Sequence, residues 1–140
     1  MIQEMSCGIM PLRKNQDGEY EVILVQSKKG RHRWFPKWWV EEQELPIETA
    51  KREVQEETGI TFDYIDPKVF KEQYQFARNE KPVDKQVWYF VGIVENNKVT
   101  IDPKEIKAYI RLLLKQVREK LTFYSTRRVR DKALKYLLNG

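Results

Sequence analysis

The chain has 140 residues, of which 41% are hydrophobic and 34% are charged, and its formal net charge is +5. This length fits one domain with its own core, residues 1–140, and the apolar content excludes an intrinsically disordered chain. No apolar run approaches the roughly 20 residues of a membrane span, and no secretory signal is recognisable, so we expect a cytoplasmic protein without membrane contact.

Turn signals and hydrophobic periodicity predict the first three elements. Residues 6–12 and 20–27 have the apolar character of strands and are joined by a turn-rich connection. Residues 46–58 are predicted to form a helix, because apolar residues recur there at spacings of three and four. Gly59 follows at the position where a helix C-cap favours a positive φ.

The second half of the chain is predicted to contain three strands and two helices: strands at 67–77, 86–94 and 99–101, and helices at 112–121 and 126–138. A polar connection, residues 78–85, joins the two longer strands, and Ser125 or Thr126 is expected to cap the last helix. A mixed sheet with helices packed on it follows, which is the α/β (α+β) class.

The first helix carries a cluster of carboxylates. Glu53 and Glu57 are four residues apart and project from the same side, with Glu56 beside them. Like charges this close repel one another, and a divalent cation relieves that repulsion; all-oxygen ligation suits Mg²⁺ or Mn²⁺. Arg52 can pair with Glu56 across one turn. A solvated acidic helix face is the alternative interpretation.

The whole string from residue 38 to residue 60 resembles the Nudix box, G-x5-E-x7-R-E-U-x-E-E-x-G-U, in which U is a bulky aliphatic residue. The matching residues are Glu44, Arg52, Glu53, Val54, Glu56, Glu57, Gly59 and Ile60. The opening glycine is replaced by Trp38. The resemblance continues outside the box, and residues 105–137 are similar to the C-terminal part of bacterial diadenosine tetraphosphate hydrolases.

This resemblance implies a fold with a mixed sheet between helices and a Mg²⁺-dependent enzyme that cleaves a pyrophosphate bond in a nucleoside diphosphate-linked substrate. Glu53, Glu56 and Glu57 are expected to bind the metal, and one of them to act as the base through a bound water. Arg52 is expected to orient these glutamates and Glu44 to support the loop. The backbone carbonyl at Trp38 is expected to face a metal.

The similarity to the tetraphosphate hydrolases also implies a dinucleoside polyphosphate substrate, held by cations at phosphate and by aromatic rings at adenine. The candidate contacts are Lys37, Tyr74, Phe76, Lys81, Lys85, Glu105 and Tyr124. For Tyr74 and Phe76 the alternative is that they simply line one face of the sheet.

Departures from the family pattern cluster in the segment before the helix. Trp34, Trp38 and Trp39 stand where relatives have smaller or polar residues, and Leu45 stands where a Ser or Thr would cap the helix at a gain of about 1 kcal/mol. Trp38 keeps the carbonyl, but its indole can fill the phosphate site, which would impair turnover. A divergent natural loop and deliberate engineering both remain open.

Two other functions stay open on this evidence. Exposed tryptophans together with Arg111 have the composition of a protein-binding or self-association surface, which would replace catalysis. Residues 104–140 hold eleven Lys or Arg against three Asp or Glu, a balance of +8. This positive charge permits a 5′ RNA pyrophosphohydrolase but does not select it, and a solvated basic helix surface is the simpler interpretation.

Overall fold

Seven strands and two helices make up the part of the chain that the computed structural model describes, residues 1–28, 33–39, 45–95 and 98–139. The strands are β1 Ile2–Lys14, β2 Tyr20–Ser27, β3 Arg33–Trp34, β4 Lys37–Trp39, β5 Phe62–Arg78, β6 Lys81–Val94 and β7 Ile106–Leu113. The helices are α1 Pro46–Thr58 and α2 Tyr124–Asn139, with a 3₁₀ turn at Val117–Lys120 before α2.

The strands form one mixed sheet in the order β3-β2-β1-β6-β5. The central pair, β1 and β6, is parallel, whereas β1–β2 and β5–β6 are antiparallel. Strand β4 pairs with β1, and β7 pairs with β2. Because β1 is buried on both faces, its sequence is a nearly continuous apolar run rather than an alternation.

The two helices pack on opposite faces of the sheet, each against its own cluster of apolar residues. On β1, Cys7 and Ile9 pack in the cluster that contains Ala50 and Val54 of α1. On the other face, Met10 and Leu12 of β1 and Val22 and Leu24 of β2 lie in the cluster that contains Val117 of the 3₁₀ turn and Val129 and Ala133 of α2. The Cys7 thiol is fully buried. The sheet therefore lies between α1 and α2, as the sequence predicted.

Two hairpins set the sheet register, and one of them corrects a prediction. Between β1 and β2, Asn15 Oδ1 accepts backbone hydrogen bonds from Asp17 and Glu19, and Gly18 takes φ 78°. Between β5 and β6 the predicted eight-residue connection, 78–85, is wrong. Asn79 and Glu80 both have positive φ and form a two-residue turn, so the strands pair down to their ends.

The predictions for residues 99–126 are wrong at three points. Residues 99–101 form no strand; instead Thr100 N–H donates to the carbonyl oxygen of Thr58 at the end of α1. Residues 112–121 are the end of β7 followed by the 3₁₀ turn, because this stretch pairs with β2. Helix α2 begins at Tyr124, so neither Ser125 nor Thr126 precedes it as the N-cap.

Gly8 permits a close crossing over the sheet. A Cβ at this position would clash with the carbonyl oxygen of Pro36 and lie 2.9 Å from the Lys37 Cβ and from the Tyr89 ring. The Ile9 N–H donates to the same Pro36 carbonyl at 3.1 Å. The absent side chain therefore brings the start of β4, and with it Lys37, against the middle of β1.

Within the described ranges, no helix is both long enough and apolar enough to cross a membrane.

Candidate active site

The carboxylate-rich helix α1 has the bounds that its sequence predicted. It begins after Leu45, whose apolar side chain makes no capping hydrogen bond. It ends at Gly59, where φ is 72° and the N–H donates to the Gln55 carbonyl at 2.9 Å. The residues of α1 that are buried against the sheet are Thr49, Ala50, Val54 and Thr58. The glutamates therefore lie on the more open side of the helix.

Arg52 contacts two of the three glutamates. Its Nη1 donates to Oε1 of Glu53 at 2.9 Å and lies 3.5 Å from Oε1 of Glu56, the one-turn contact that the spacing predicted. Because the Glu56 side chain is 58% exposed, water screens this pair and it adds little to stability. The contacts place one guanidinium beside two carboxylates.

Glu57 lines a cavity of about 910 Å³. The segment after β6 packs against the C-terminal end of α1, where Asp102 N–H donates to the Glu57 carbonyl oxygen at 2.8 Å. The same segment carries Glu105, which also lines the cavity and whose carbonyl accepts a hydrogen bond from Lys28 N–H. Two carboxylates far apart in the chain thus border one space.

The cavity gathers Glu57 and six of the seven predicted substrate contacts, whereas Arg52, Glu53 and Glu56 are not among its lining residues. Those lining it are Lys37, Glu57, Tyr74, Phe76, Lys85, Glu105 and Tyr124. They come from both helices, three strands and the segment before β7. The volume falls within the roughly 300–1,000 Å³ of small-molecule sites. One space therefore combines carboxylates, ammonium groups and aromatic rings, the groups that phosphate transfer to water and nucleotide binding require.

Lys37 and Tyr74 form a polar pair in the cavity wall. Lys37 Nζ donates to the Tyr74 hydroxyl oxygen at 3.3 Å and lies 5.6 Å from the ring centroid. Burial lowers the pKa of Lys37 to about 8, although the charge of Glu72 opposes this and that of Lys85 adds to it. Burial and the charge of Glu72 raise the pKa of Tyr74 to about 12.

Lys85 lies in a row of polar side chains that crosses three strands. It is opposite Glu4 on β1 and opposite Tyr74 on β5, and it is only 8% exposed. Burial lowers the pKa of Lys85, and the charge of Glu4 partly offsets this. Glu4 also forms an ion pair with Arg78 at 3.0 Å. The lysines of the cavity thus stand among buried acids.

Aromatic rings occur in two places around the cavity. Tyr74 and Phe76 are neighbours on one face of β5, with ring centroids 5.9 Å apart and planes tilted by 34°. Phe123 and Tyr124, at the start of α2, are 42% and 67% exposed and line the same space. Both the ligand interpretation and the sheet-face interpretation of Tyr74 and Phe76 therefore agree with their position.

Glu72, two residues before Tyr74 on β5, is a buried acid that the sequence analysis missed. It is buried on β5, and its Oε2 accepts a hydrogen bond from Thr126 Oγ1 at 2.6 Å. The signal was present, because residues two apart on a strand share a face and Glu72 precedes Tyr74 and Phe76 at that spacing.

Some predicted site residues lie elsewhere. Lys81 pairs with Arg78 at the β5–β6 turn and does not line the cavity. Arg111 lies on β7, opposite Ile23 of β2, and is close to Arg13 and Glu21. Glu44 lies outside the described residues. The backbones of Trp34, Trp38 and Trp39 form strands β3 and β4, but their side chains lie outside the described part of the structure.

The donor set of α1 fits a hard divalent cation by its chemistry, because all three groups are carboxylates and Glu57 opens into the cavity. Among the described residues, no three acidic, histidine or cysteine side chains are close enough together to hold a metal ion. The support for a metal at this helix is therefore the type of donor and its place at the cavity, rather than a preassembled cluster.

Comparison with known proteins gives a family and several relatives. The NUDIX domain model matches residues 5–131. The bis(5'-nucleosyl)-tetraphosphatase [asymmetrical] of Rattus norvegicus is 33% identical over 103 residues, 69% of each chain. That of Sus scrofa is 31% identical over 112 residues, 74% of this chain and 75% of its own. The predicted resemblance is confirmed, and the relatives named here are mammalian.

Solved structures share the fold. A C. elegans Ap4A hydrolase in a binary complex has a TM-score of 0.77 at 20% identity, covering 98% of this chain and 99% of the other. The NUDIX domain of Shewanella oneidensis NrtR, complexed with ADP ribose, has a TM-score of 0.77 at 14% identity, covering 98% and 90%. The predicted α+β class, a mixed sheet between helices, is confirmed.

Proposed function

This chain belongs to the Nudix hydrolase family, and on that premise we propose that it cleaves a pyrophosphate bond in a dinucleoside polyphosphate such as diadenosine tetraphosphate. The observation that carries the proposal is that Glu57 lines the same cavity as Lys37, Lys85 and the aromatic rings. The family match over residues 5–131 supports a single domain across residues 1–140.

The residues that line the cavity favour a ligand with two nucleosides. Lys37 and Lys85 offer positive charge for a polyphosphate chain. The ring pair of Tyr74 and Phe76 and the ring of Tyr124 offer two separate platforms on which bases can stack. The names of the mammalian tetraphosphatases support the same substrate class.

Hydrolases of this family generally use divalent metal ions, and we propose Mg²⁺, with Mn²⁺ as a substitute, held by Glu53, Glu56 and Glu57. The bound ion would neutralise charge on the pyrophosphate oxygens and lower the pKa of the attacking water.

The chain itself supplies charge and a proton acceptor. Glu57 reaches the cavity and would accept the proton of the water through a carboxylate oxygen. Arg52 contacts both Glu53 and Glu56 and would orient their carboxylates. Lys37 and Lys85 would bind and orient the phosphates. The substrate would then lose its translational freedom on binding, so that this entropy loss does not add to the barrier of the chemical step.

A substrate panel tests the proposal. Diadenosine tetraphosphate, ADP-ribose and a 5′-triphosphate oligoribonucleotide are incubated with the protein and Mg²⁺, and products are separated by ion-exchange chromatography. We expect diadenosine tetraphosphate to give AMP and ATP at the highest rate, and EDTA to stop the reaction. Faster release of pyrophosphate from the RNA would instead support the RNA alternative.

A further inference from the structure

A second cavity lies between strand β5 and helix α2, at the end of the helix away from the candidate active site. Its volume is about 670 Å³, within the roughly 300–1,000 Å³ of small-molecule sites. Tyr124 of the active-site cavity precedes Tyr136 of the second cavity by twelve residues, which separates the two spaces by about 18 Å along the helix. The residues lining the second cavity are Lys68, Val69, Phe70 and Lys71 of β5 and Lys132, Lys135, Tyr136 and Asn139 of α2.

Lysines from two different elements converge on the second cavity. Lys68 comes from β5, and Lys132 and Lys135 come from one face of α2. All three side chains are exposed, and within the described part of the chain none of them lies in an ion pair. None of the described residues that line this cavity is acidic. Like charges without counter-charges repel one another, and a bound anion would relieve that repulsion.

A tyrosine ring forms part of the same wall and is held on two sides. Tyr136 is 38% exposed, and its hydroxyl donates to Asp66 Oδ2 at 3.0 Å. The ring packs edge-on against the buried Phe70, with centroids 5.7 Å apart and planes at 71°. A partly exposed ring in a fixed position is suited to stack on a nucleobase.

The acids nearest to the second cavity do not neutralise its lysines. Asp66 accepts hydrogen bonds at both carboxylate oxygens, from the Lys68 N–H at 2.9 Å and from the Tyr136 hydroxyl. Asp131 is in ion pairs with two arginines, at 2.9 Å and 3.2 Å. Three ammonium groups face one cavity, and even with Asp66 counted the local charge is positive.

Exposed lysines are ordinarily solvated, and this simpler explanation suffices for some of those at the second cavity. Lys71 is not counted as a ligand group, because its Nζ lies 5.0 Å from the ring centroid of Trp88. Solvation alone also accounts for Lys132 and Lys135 on their helix. It gives no reason for Lys68 of another element to meet them around a fixed ring.

We infer that the second cavity is a non-catalytic binding site for a nucleoside polyphosphate, in which Lys68, Lys132 and Lys135 bind the phosphates and the ring of Tyr136 stacks on the base. The volume and the presence of one ring favour a single nucleotide over a nucleic-acid strand. The inference does not depend on the proposed reaction, because no residue that lines the active-site cavity takes part in it.

The direct test is a titration of the protein with ATP in the presence of EDTA, which prevents metal-dependent hydrolysis, followed by ¹⁵N amide NMR. We expect two groups of shifted signals, one around Tyr74 and Tyr124 and one at residues 68–71 and 132–139. In the double variant Lys132→Glu with Lys135→Glu, the dissociation constant of the second group should rise by about tenfold or more. That of the first group should not change.

Two further variants separate local charge and stacking from a general effect. Lys14→Glu with Lys107→Glu makes the same change in net charge at exposed positions of β1 and β7 and should leave the second group unchanged. Tyr136→Leu should weaken ATP in the second group by about tenfold, because the base loses its ring. The same variant should bind inorganic triphosphate there as the parent does.

The inference has clear contradicting outcomes. It would be overturned by signals that shift only around the active-site cavity, or by equal weakening in the two double variants. Tighter binding of a single-stranded oligoribonucleotide than of ATP at residues 68–71 and 132–139 would replace it with a nucleic-acid site. Binding of ATP there as expected, without hydrolysis of diadenosine tetraphosphate, would contradict the proposed function alone.

Discussion

Lys37 and Tyr74 meet in the wall of the cavity, where Lys37 Nζ donates to the Tyr74 hydroxyl oxygen at 3.3 Å. Burial lowers the pKa of Lys37 to about 8 and raises that of Tyr74 to about 12. At neutral pH the pair therefore carries one positive charge, on a lysine that loses it within the range in which enzymes are assayed.

Phosphate binding should weaken as the pH rises through 8. Lys37 is mostly charged below its pKa of about 8 and mostly neutral above it, so the loss occurs on the alkaline side. At one pH unit above the pKa only about one-tenth of the side chains are charged, and affinity for ATP should fall by up to about tenfold. Calorimetric titration at pH 7 and pH 9 measures this change. In Lys37→Arg, whose guanidinium stays charged, the same pH change should leave affinity nearly constant; an equal loss there would refute the assignment.

Glu57→Gln should abolish most of the hydrolysis. The amide cannot accept a proton from water, and loss of a general base typically costs about 10²–10⁴-fold in rate. The measurement is the initial rate of AMP formation from diadenosine tetraphosphate. Glu48→Gln is the matched control, because it removes one charge from the exposed first turn of the same helix. If both variants lose activity to the same extent, the effect belongs to the helix as a whole.

Gly8→Ala should damage both stability and substrate binding. Its new Cβ would clash with the Pro36 carbonyl oxygen and press on the Lys37 Cβ, so the strands must separate at a cost of about 1–3 kcal/mol. Urea unfolding gives the free energy, and the KM for diadenosine tetraphosphate gives the second effect. Gly18→Asn is the control, because Gly18 has open space around it and asparagine tolerates a positive φ. A fully stable Gly8→Ala would contradict the close crossing described above.

Arg130→Met should destabilise the protein while leaving the cavity lysines in place. Arg130 donates to the carbonyl oxygens of Leu114 and Lys115 and to Asp131, and thereby joins α2 to the end of β7. Two carbonyls would lose a charged donor, at a cost of about 2–3 kcal/mol by chemical denaturation. Arg128→Ala, exposed on the same helix, should change stability by less than about 0.5 kcal/mol. Similar losses in the two variants would show that α2 depends on total charge rather than on these hydrogen bonds.

Local sequence signals were sufficient to predict the bounds of α1 and of β2. The periodicity of apolar residues and the glycine after the last turn determine α1 over Pro46–Thr58, and the left-handed Gly59 is where the sequence places it. Strand β2, Tyr20–Ser27, likewise has the predicted bounds. In both elements the conformation that the residues favour locally is also the one that their tertiary surroundings require.

Elements that depend on distant partners were not predictable in the same way. Residues 112–114 are apolar enough for a buried helix or a strand, and pairing of Ile110 with Leu24 and of Leu112 with Val22 decides for the strand. The extension of β5 and β6 through residues 78–85 follows from the two-residue turn at Asn79 and Glu80, whose φ values composition does not reveal.

For the candidate site, the residue types were predictable from the sequence, whereas the fold determines which of them meet. The Nudix resemblance singled out Glu57, and the similarity to tetraphosphate hydrolases singled out Tyr74 and Lys85 as candidate substrate contacts; all three line the cavity. Lys81 was indistinguishable from Lys85 in sequence, but the turn places it outside. Glu72 was passed over because a single acid in a polar strand segment ordinarily faces water.

The most direct test is hydrolysis of diadenosine tetraphosphate with Mg²⁺, comparing this chain with Trp38→Gly, which restores the glycine of the Nudix box. We expect Mg²⁺-dependent AMP and ATP from both proteins, faster in Trp38→Gly. Turnover by Trp38→Gly alone would mean a complete site blocked by the indole, and would favour the protein-binding surface for the parent chain. No turnover by either protein would contradict the proposed function.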